Sequence, residues 1–194
     1  MTNTTFDGLG LIEPLRLALK IERHVQPTPI QARAIPLIAE GKDLLGIAET
    51  GSGKTAAFAL PILQRLSLKS LPRNPGAPHA LILAPTRELA SQIGERISGY
   101  GRGLSLRAAV IFGGVNQHHQ VKALKAGVDI LVATPGRLLD LCHQRHIRLL
   151  RHEGLSRLYW LRELRGLDKG IAEEWDKHME VFEQELEEFK RHFD

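Results

Sequence analysis

Ala48-Glu49-Thr50-Gly51-Ser52-Gly53-Lys54-Thr55 is the stretch on which the reading of this 194-residue chain turns. Its glycines fall where a backbone must fold tightly around an anion, and a lysine and a hydroxyl residue follow at once. The run before it, Asp43-Leu44-Leu45-Gly46-Ile47-Ala48, is short and apolar and predicts a buried strand. The run after it, Ala56-Ala57-Phe58-Ala59-Leu60, is rich in helix formers. Strand, glycine-rich loop and helix form the context of a phosphate-binding loop. Free N–H groups of the loop and of the helix N-terminus would point at phosphate oxygens. Lys54 would set a positive charge on the β and γ oxygens, and the Thr55 hydroxyl would ligate Mg²⁺. The usual first glycine of the motif is replaced by Ala48.

Working outward, the totals allow one α/β domain with a sizeable core, or one domain plus an appendage. The chain is 43% hydrophobic and 25% charged, an ordinary globular balance. No apolar run approaches the ~18 residues of a membrane span, and Met1-Thr2-Asn3-Thr4-Thr5 lacks a basic-then-apolar leader pattern. Cys142 is the single cysteine, which excludes an intrachain disulfide and makes a reducing cytoplasm the simple expectation. The net charge of +4 conceals an asymmetry. Residues 1–158 hold 20 Lys/Arg against 11 Asp/Glu, a net of +9, whereas residues 159–194 hold 6 against 11, a net of −5. A basic body favours a polyanionic partner such as nucleic acid.

On the N-terminal side, 6–20 reads as a short loop and a helix, with Leu11, Leu15, Ala18 and Leu19 at helical spacing. In Gln26-Pro27-Thr28-Pro29-Ile30-Gln31, Thr28 is the expected N-cap and Pro29 the first helical residue. Gln31 then sits in the first turn, where its amide offers adenine both a donor and an acceptor. On the C-terminal side, 67–78 is a polar loop, and strands are expected at 80–84, 106–112 and 129–133. Apolar strands alternating with helices imply a parallel sheet covered on both faces, with ligands at its carboxyl edge. The motif-like stretches fall at that edge: the phosphate loop, Pro85-Thr86-Arg87, Gly113-Gly114 and Thr134-Pro135-Gly136-Arg137. Together they can hold a sugar-phosphate backbone without reading bases. His118-His119 reads as a solvated pair, since no third ligand has metal-site spacing.

These residues resemble the first RecA-like domain of DEAD-box RNA helicases, in particular the bacterial RhlE-like branch, over roughly residues 6–148. Phe6 stands where the family has an isolated aromatic that stacks on adenine, and 23–31 is similar to the Q motif, with Gln31 as its adenine-reading glutamine. Residues 48–55 match motif I, whose first position in the family is alanine; 85–90 resemble motif Ia, Gly113-Gly114 the glycine doublet, and 134–137 motif Ib. The resemblance implies a three-layer α/β fold with a mostly parallel sheet. It implies that ATP and Mg²⁺ are held by Phe6, Thr28, Gln31 and Thr50, Gly51, Ser52, Gly53, Lys54 and Thr55. It places RNA on Pro85, Thr86, Arg87, Gly113, Gly114, Thr134, Pro135, Gly136 and Arg137.

Past residue 148 the likeness weakens. The family's Asp-Glu-Ala-Asp and its later Ser-Ala-Thr segment are not present in these 194 residues. The nearest counterpart, Leu158-Tyr159-Trp160-Leu161-Arg162-Glu163-Leu164-Arg165, puts Arg162 at the carboxylate that helps hold Mg²⁺ and Arg165 at the second aspartate, and keeps Glu163. Because phosphoryl transfer rests on charge neutralisation and on orienting the attacking water, the expectation is little or no hydrolysis. Without a second RecA-like domain, supplied in trans, no unwinding is expected. The domain division is 1–158, RecA-like, and 159–194, an acidic tail. In the tail Ile171, Trp175, Met179, Phe182, Leu186, Phe189 and Phe193 recur at helical spacing opposite an acidic face. Three readings stay open for it: packing on the sheet, docking on the basic edge or a partner, or a segment that is not a natural continuation. A non-catalytic nucleotide or RNA-binding module is the alternative function.

Overall fold

The computed structural model describes residues 5–42, 44, 46, 48–49, 51–69, 71–148 and 157–160. A 3₁₀ turn at Phe6–Leu9 leads into α1 (Glu13–Ile21) and α2 (Pro29–Ala39), and α3 (Lys54–Lys69) opens directly from the phosphate loop. Then strands and helices alternate: β1 (Ala80–Leu83), α4 (Arg87–Tyr100), β2 (Ala108–Ile111), α5 (His118–Lys125), β3 (Ile130–Ala133), α6 (Pro135–His143) and β4 (Arg157–Trp160). The four strands lie in the order β2-β3-β1-β4, and every neighbouring pair is parallel.

Strand periodicity explains the three layers. Along β1 and β3 successive side chains point to opposite faces. Ala80, Ile82, Ile130 and Val132 join one core with α1, α2, α3 and α4. Leu81, Leu83, Leu131 and Ala133 join a second with α5 and α6. Both central strands are buried along their whole length, and each fully buried Leu or Ile contributes about 1.5–3 kcal/mol. Edge strand β2 leaves Ala108 exposed. At the amino edge Asp129 is only 3% exposed; its carboxylate accepts from Arg73 Nε and from the Arg107 N–H, both at 2.7 Å. That ion pair ties the loop before β1 to the starts of β2 and β3.

The α/β three-layer expectation holds, with strands shorter than read by one to three residues. Of the strand expected at 43–48, residues 43, 45 and 47 lie outside the described residues. Its described members Leu44, Gly46 and Ala48 carry no strand pairing, and Leu44 is 42% exposed. Beyond β3, the other neighbour of β1 is β4, with Trp160 in register with Leu83. Leu44, Gly46 and Ala48 instead line a cavity of about 580 Å³ with Ile30, Ala34 and Leu37 of α2. An apolar run announces burial, but its partner depends on which other strands compete for the sheet. β4 also runs through the composition boundary at residue 158. The amphipathic helix expected in the tail lies outside the described residues. No helix among the described residues is long and apolar enough to cross a membrane.

Candidate nucleotide and RNA site

The phosphate loop is shaped by two glycines. Gly51 and Gly53 have φ of 83° and 88°, a region other residues enter at a cost. At Gly53 a Cβ would also collide with the amide nitrogen of Gln31. The loop closes through Ser52 N–H to Glu49 O at 3.2 Å, and α3 begins at Lys54, leaving its first N–H groups facing the loop. Lys54 Nζ donates to Ala48 O at 2.5 Å and to Glu49 O at 2.7 Å. An ammonium has three donors, so one remains for an anion. Ser52 Oγ is buried with no hydrogen-bond partner among the described residues. A buried hydroxyl without a partner costs about 1–3 kcal/mol, and a phosphate oxygen would satisfy it. The residues present therefore fit a polyphosphate. Thr50 lies outside the described residues.

The loop is wired to the start of α2. Thr28 caps that helix, and its N–H donates to Gln31 Oε1 at 3.0 Å. The other end of the same amide, Gln31 Nε2, donates to Gly53 O at 3.1 Å, while Thr28 Oγ1 donates to Ser52 O at 2.8 Å. Gln31 is 1% exposed, so the amide expected to face adenine is turned to the protein at both ends. Phe6 is 7% exposed and packs its ring edge-on to His24, with centroids 6.4 Å apart. His24 in turn meets the Tyr100 hydroxyl at 3.1 Å. Burial, then the nearby Arg96, holds the His24 imidazole below the usual histidine range, and burial raises the Tyr100 hydroxyl.

Thr55 faces a cavity of about 1000 Å³ shared with Leu89, Ser91 and Gln92 of α4, so the start of α3 and the first turns of α4 border one space. Among the described residues no group of three or more His, Cys, Asp or Glu side chains is arranged to hold a metal. Thr55 is the metal ligand expected from the motif. Glu163, three residues beyond the end of β4, lies outside the described residues.

The residues expected to contact an RNA backbone gather at the carboxyl ends of β1, β2 and β3. Pro85, Thr86 and Arg87 are exposed just after β1, and Thr86 Oγ1 caps α4 by accepting from the Leu89 N–H at 3.2 Å. Gly114, with φ of 75°, lies so close under the Arg87 guanidinium that a Cβ there would clash with it. Gly113 and Gly136 are open to any approaching group. Thr134 and Pro135 start α6 as N-cap and first helical residue. Arg137 is largely spent on the protein: it donates to Gln120 Oε1 at 3.2 Å and to Val115 O at 3.1 Å, with a side chain 10% exposed. It therefore fixes the loop after the glycine doublet. Sequence reasoning missed this, as it missed His24 and the orphaned Ser52 hydroxyl; only side-chain packing carries those signals. His118 and His119 are exposed in the first turn of α5, as expected of a solvated pair.

Comparison with known proteins adds to this geometry. The DEAD/DEAH box helicase family model matches residues 28–194. The ATP-dependent rRNA helicase RRP3 of Pyricularia oryzae is 54% identical over 136 residues, 70% of this chain and 24% of that protein. Its counterpart in Ajellomyces capsulatus is 45% identical over 181 residues, 93% of this chain and 36% of that protein. The crystal structure of the RNA helicase Prp28 from Chaetomium thermophilum bound to ADP superposes with a TM-score of 0.72. It is 32% identical, covering 88% of this chain and 48% of that one. This chain thus spans roughly a quarter to two fifths of such curated relatives. The bacterial branch expected above has no counterpart among these three.

Proposed function

The chain belongs to the DEAD/DEAH box helicase family, and from that premise we propose that it binds ATP at 48–55 and an RNA backbone along the carboxyl edge of its sheet. The observation that carries the reading is the amide of Gln31, which joins the adenine side of the site to the phosphate side through Gly53 O. The Ser52 hydroxyl, the free Lys54 donor and the first N–H groups of α3 would hold phosphate oxygens. Thr28 and Gln31 would orient the base. Mg²⁺, when bound, would neutralise phosphate charge, with Thr55 as its ligand from this chain. Arg87, Thr86, Gly113, Gly114 and the 134–137 turn would receive sugar-phosphate groups, while Arg137 keeps the adjoining loop in place.

Hydrolysis by these residues would be weak if, on the pairing expected above with one residue deleted, Arg162 takes the place of the family's metal-binding carboxylate and Arg165 that of the second acid. An arginine there repels the cation instead of fixing it. Unwinding would need a second RecA-like domain, whether on the same polypeptide or supplied in trans. The acidic 159–194 segment would act as a docking surface, either on this chain or on a partner. Buried Cys142 and the absence of other cysteines suit a reducing compartment such as the cytoplasm.

Titration with a fluorescent ATP analogue tests the reading. Lys54→Ala should weaken binding at least tenfold, and the parent should bind with little dependence on Mg²⁺. Equal affinity of parent and variant would overturn nucleotide binding at this loop. RNA-stimulated phosphate release that Lys54→Ala abolishes would overturn weak hydrolysis alone.

A further inference from the structure

The amino edge of the sheet, opposite the site above, carries an unassigned concentration of positive charge. Arg73 lies in the loop before β1, Arg107 immediately before β2, Lys122 and Lys125 in the last turn of α5, and Arg145 and Arg148 just after α6. All six residues are exposed. Backbone contacts draw them into one corner: Gly76 N–H donates to Leu124 O at 3.1 Å, Arg148 N–H to Gly76 O at 2.7 Å, and Arg107 Nη1 to Ala126 O at 3.3 Å. Among the described residues only Arg73 of the six has a carboxylate partner, the buried Asp129. Asp140, the other nearby acid, lies one turn back on α6 and faces Arg137.

Helix-end electrostatics explain part of this. Cations in the last turn of a helix are favourable against its carbonyl dipole, which accounts for Lys122 and Lys125. They do not account for Arg145. It occupies the left-handed position after α6 with φ of 60°, and its N–H donates to Cys142 O while the His146 N–H donates to Leu141 O. Those two bonds make the helix-end motif in which glycine is strongly preferred at this residue. An arginine there is strained, so backbone demands do not select it.

We propose that this corner is a second RNA-binding surface that takes the phosphate backbone of duplex RNA, separate from the carboxyl-edge site. Duplex rather than single-stranded RNA is favoured because the six residues of the corner include no Phe, Tyr or Trp, and Phe6, Phe58 and Tyr100 are buried elsewhere. Single strands are held largely by stacking on such rings, whereas a duplex offers regularly spaced phosphates. The carboxyl edge, with helix N-termini and glycines, and the amino edge, with free cations, would then hold different parts of one RNA.

The test is fluorescence anisotropy of a labelled 20-base-pair blunt RNA duplex with the full chain, without nucleotide, at KCl from 50 to 200 mM. Omitting nucleotide keeps this outcome distinct from that of the ATP site. The variant Lys122→Gln/Lys125→Gln/Arg145→Gly should bind at least tenfold more weakly at 100 mM KCl. Its log K against log salt slope should fall by about 2, since each neutralised phosphate contributes about 0.7–0.9. Arg145→Gly alone should raise the melting temperature while lowering duplex affinity, which separates binding from folding. Unchanged affinity and slope in the triple variant would overturn the proposal. So would unchanged RNA binding joined to a lower melting temperature that appears only at low salt, which would give the corner to the chain's own acidic segment.

Discussion

Replacing Gln31 with glutamate gives a sharp test of how the site is held together. The side chain is 1% exposed, accepts from the Thr28 N–H at 3.0 Å and donates to Gly53 O at 3.1 Å. A carboxylate keeps the first bond and cannot make the second. It sets two acceptors against each other in a buried place. Losing that donor costs about 1–3 kcal/mol, and burying the charge adds to it. A net loss of about 3 kcal/mol corresponds to a fall of about 6–12 °C in melting temperature for a domain of this size. Burial disfavours the ionised form, so the introduced carboxyl has a higher pKa folded than unfolded. The destabilisation is then fully present above the folded value and disappears as pH falls below the unfolded one, where the protonated acid can donate to Gly53 O. Gln31→Ala, which cannot titrate, shows a loss that is flat with pH relative to the parent. Thermal melts followed by circular dichroism from pH 4.5 to 8, referred to the parent at each pH, measure both. If the glutamate variant loses as much stability at pH 4.5 as at pH 8, the amide is not the link described here.

Three further outcomes follow from the same geometry. Gly114→Ala must adopt φ of 75° with a methyl group and push Arg87 aside, so it should lose about 1 kcal/mol of stability and several-fold in single-stranded RNA affinity, measured by melting and by filter binding. The Cys142 thiol, pushed by burial up to about 12, should react with Ellman's reagent at pH 8 only as fast as the chain opens, and its contribution should lower stability as pH rises from about 9 toward 12, while the unfolded thiol ionises and the folded one does not. His24, held below its usual range chiefly by burial, should make stability fall as pH drops through about 6.5, since the unfolded imidazole takes its proton first; urea titrations at pH 7.5 and 5.5 should show this difference shrinking in His24→Gln.

What could be read from the amino-acid order was what local chemistry decides. The glycine spacing and Lys54-Thr55 located the loop, and Thr28-Pro29 located the start of α2, because caps and tight turns are settled within a few residues. The unbroken apolar runs within 80–84 and 129–133 located the central strands, because both of their faces are covered. The stretch 43–48 was equally apolar, yet Leu44 is exposed, for neighbours in a sheet are chosen by the whole chain. Pro61 in α3 would have been a reason to end that helix, but the buried residues around it carry the helix on to Lys69. Arg137 was expected on the RNA backbone and is bonded to Gln120 and Val115; Gln31 was expected to offer its amide to adenine and is interior, with both ends of that amide on the protein. In each case the residue type named the chemistry available, and packing decided whether that chemistry faces solvent.

The meeting of Arg87 with Gly114 has a kinetic side. These residues follow β1 and β2, which are not neighbours; β3 runs between them. One side chain therefore bridges the exit of the middle strand, and the carboxyl edge is folded over on itself. On the RNA reading proposed above, a phosphate that drew the guanidinium off the glycine would have to break that contact before gaining its own, which would add an activation step to association. Removing that step by shortening the side chain would make encounter faster and retention poorer. The two rates should therefore shift in opposite senses, a signature that a plain loss of charge would not produce.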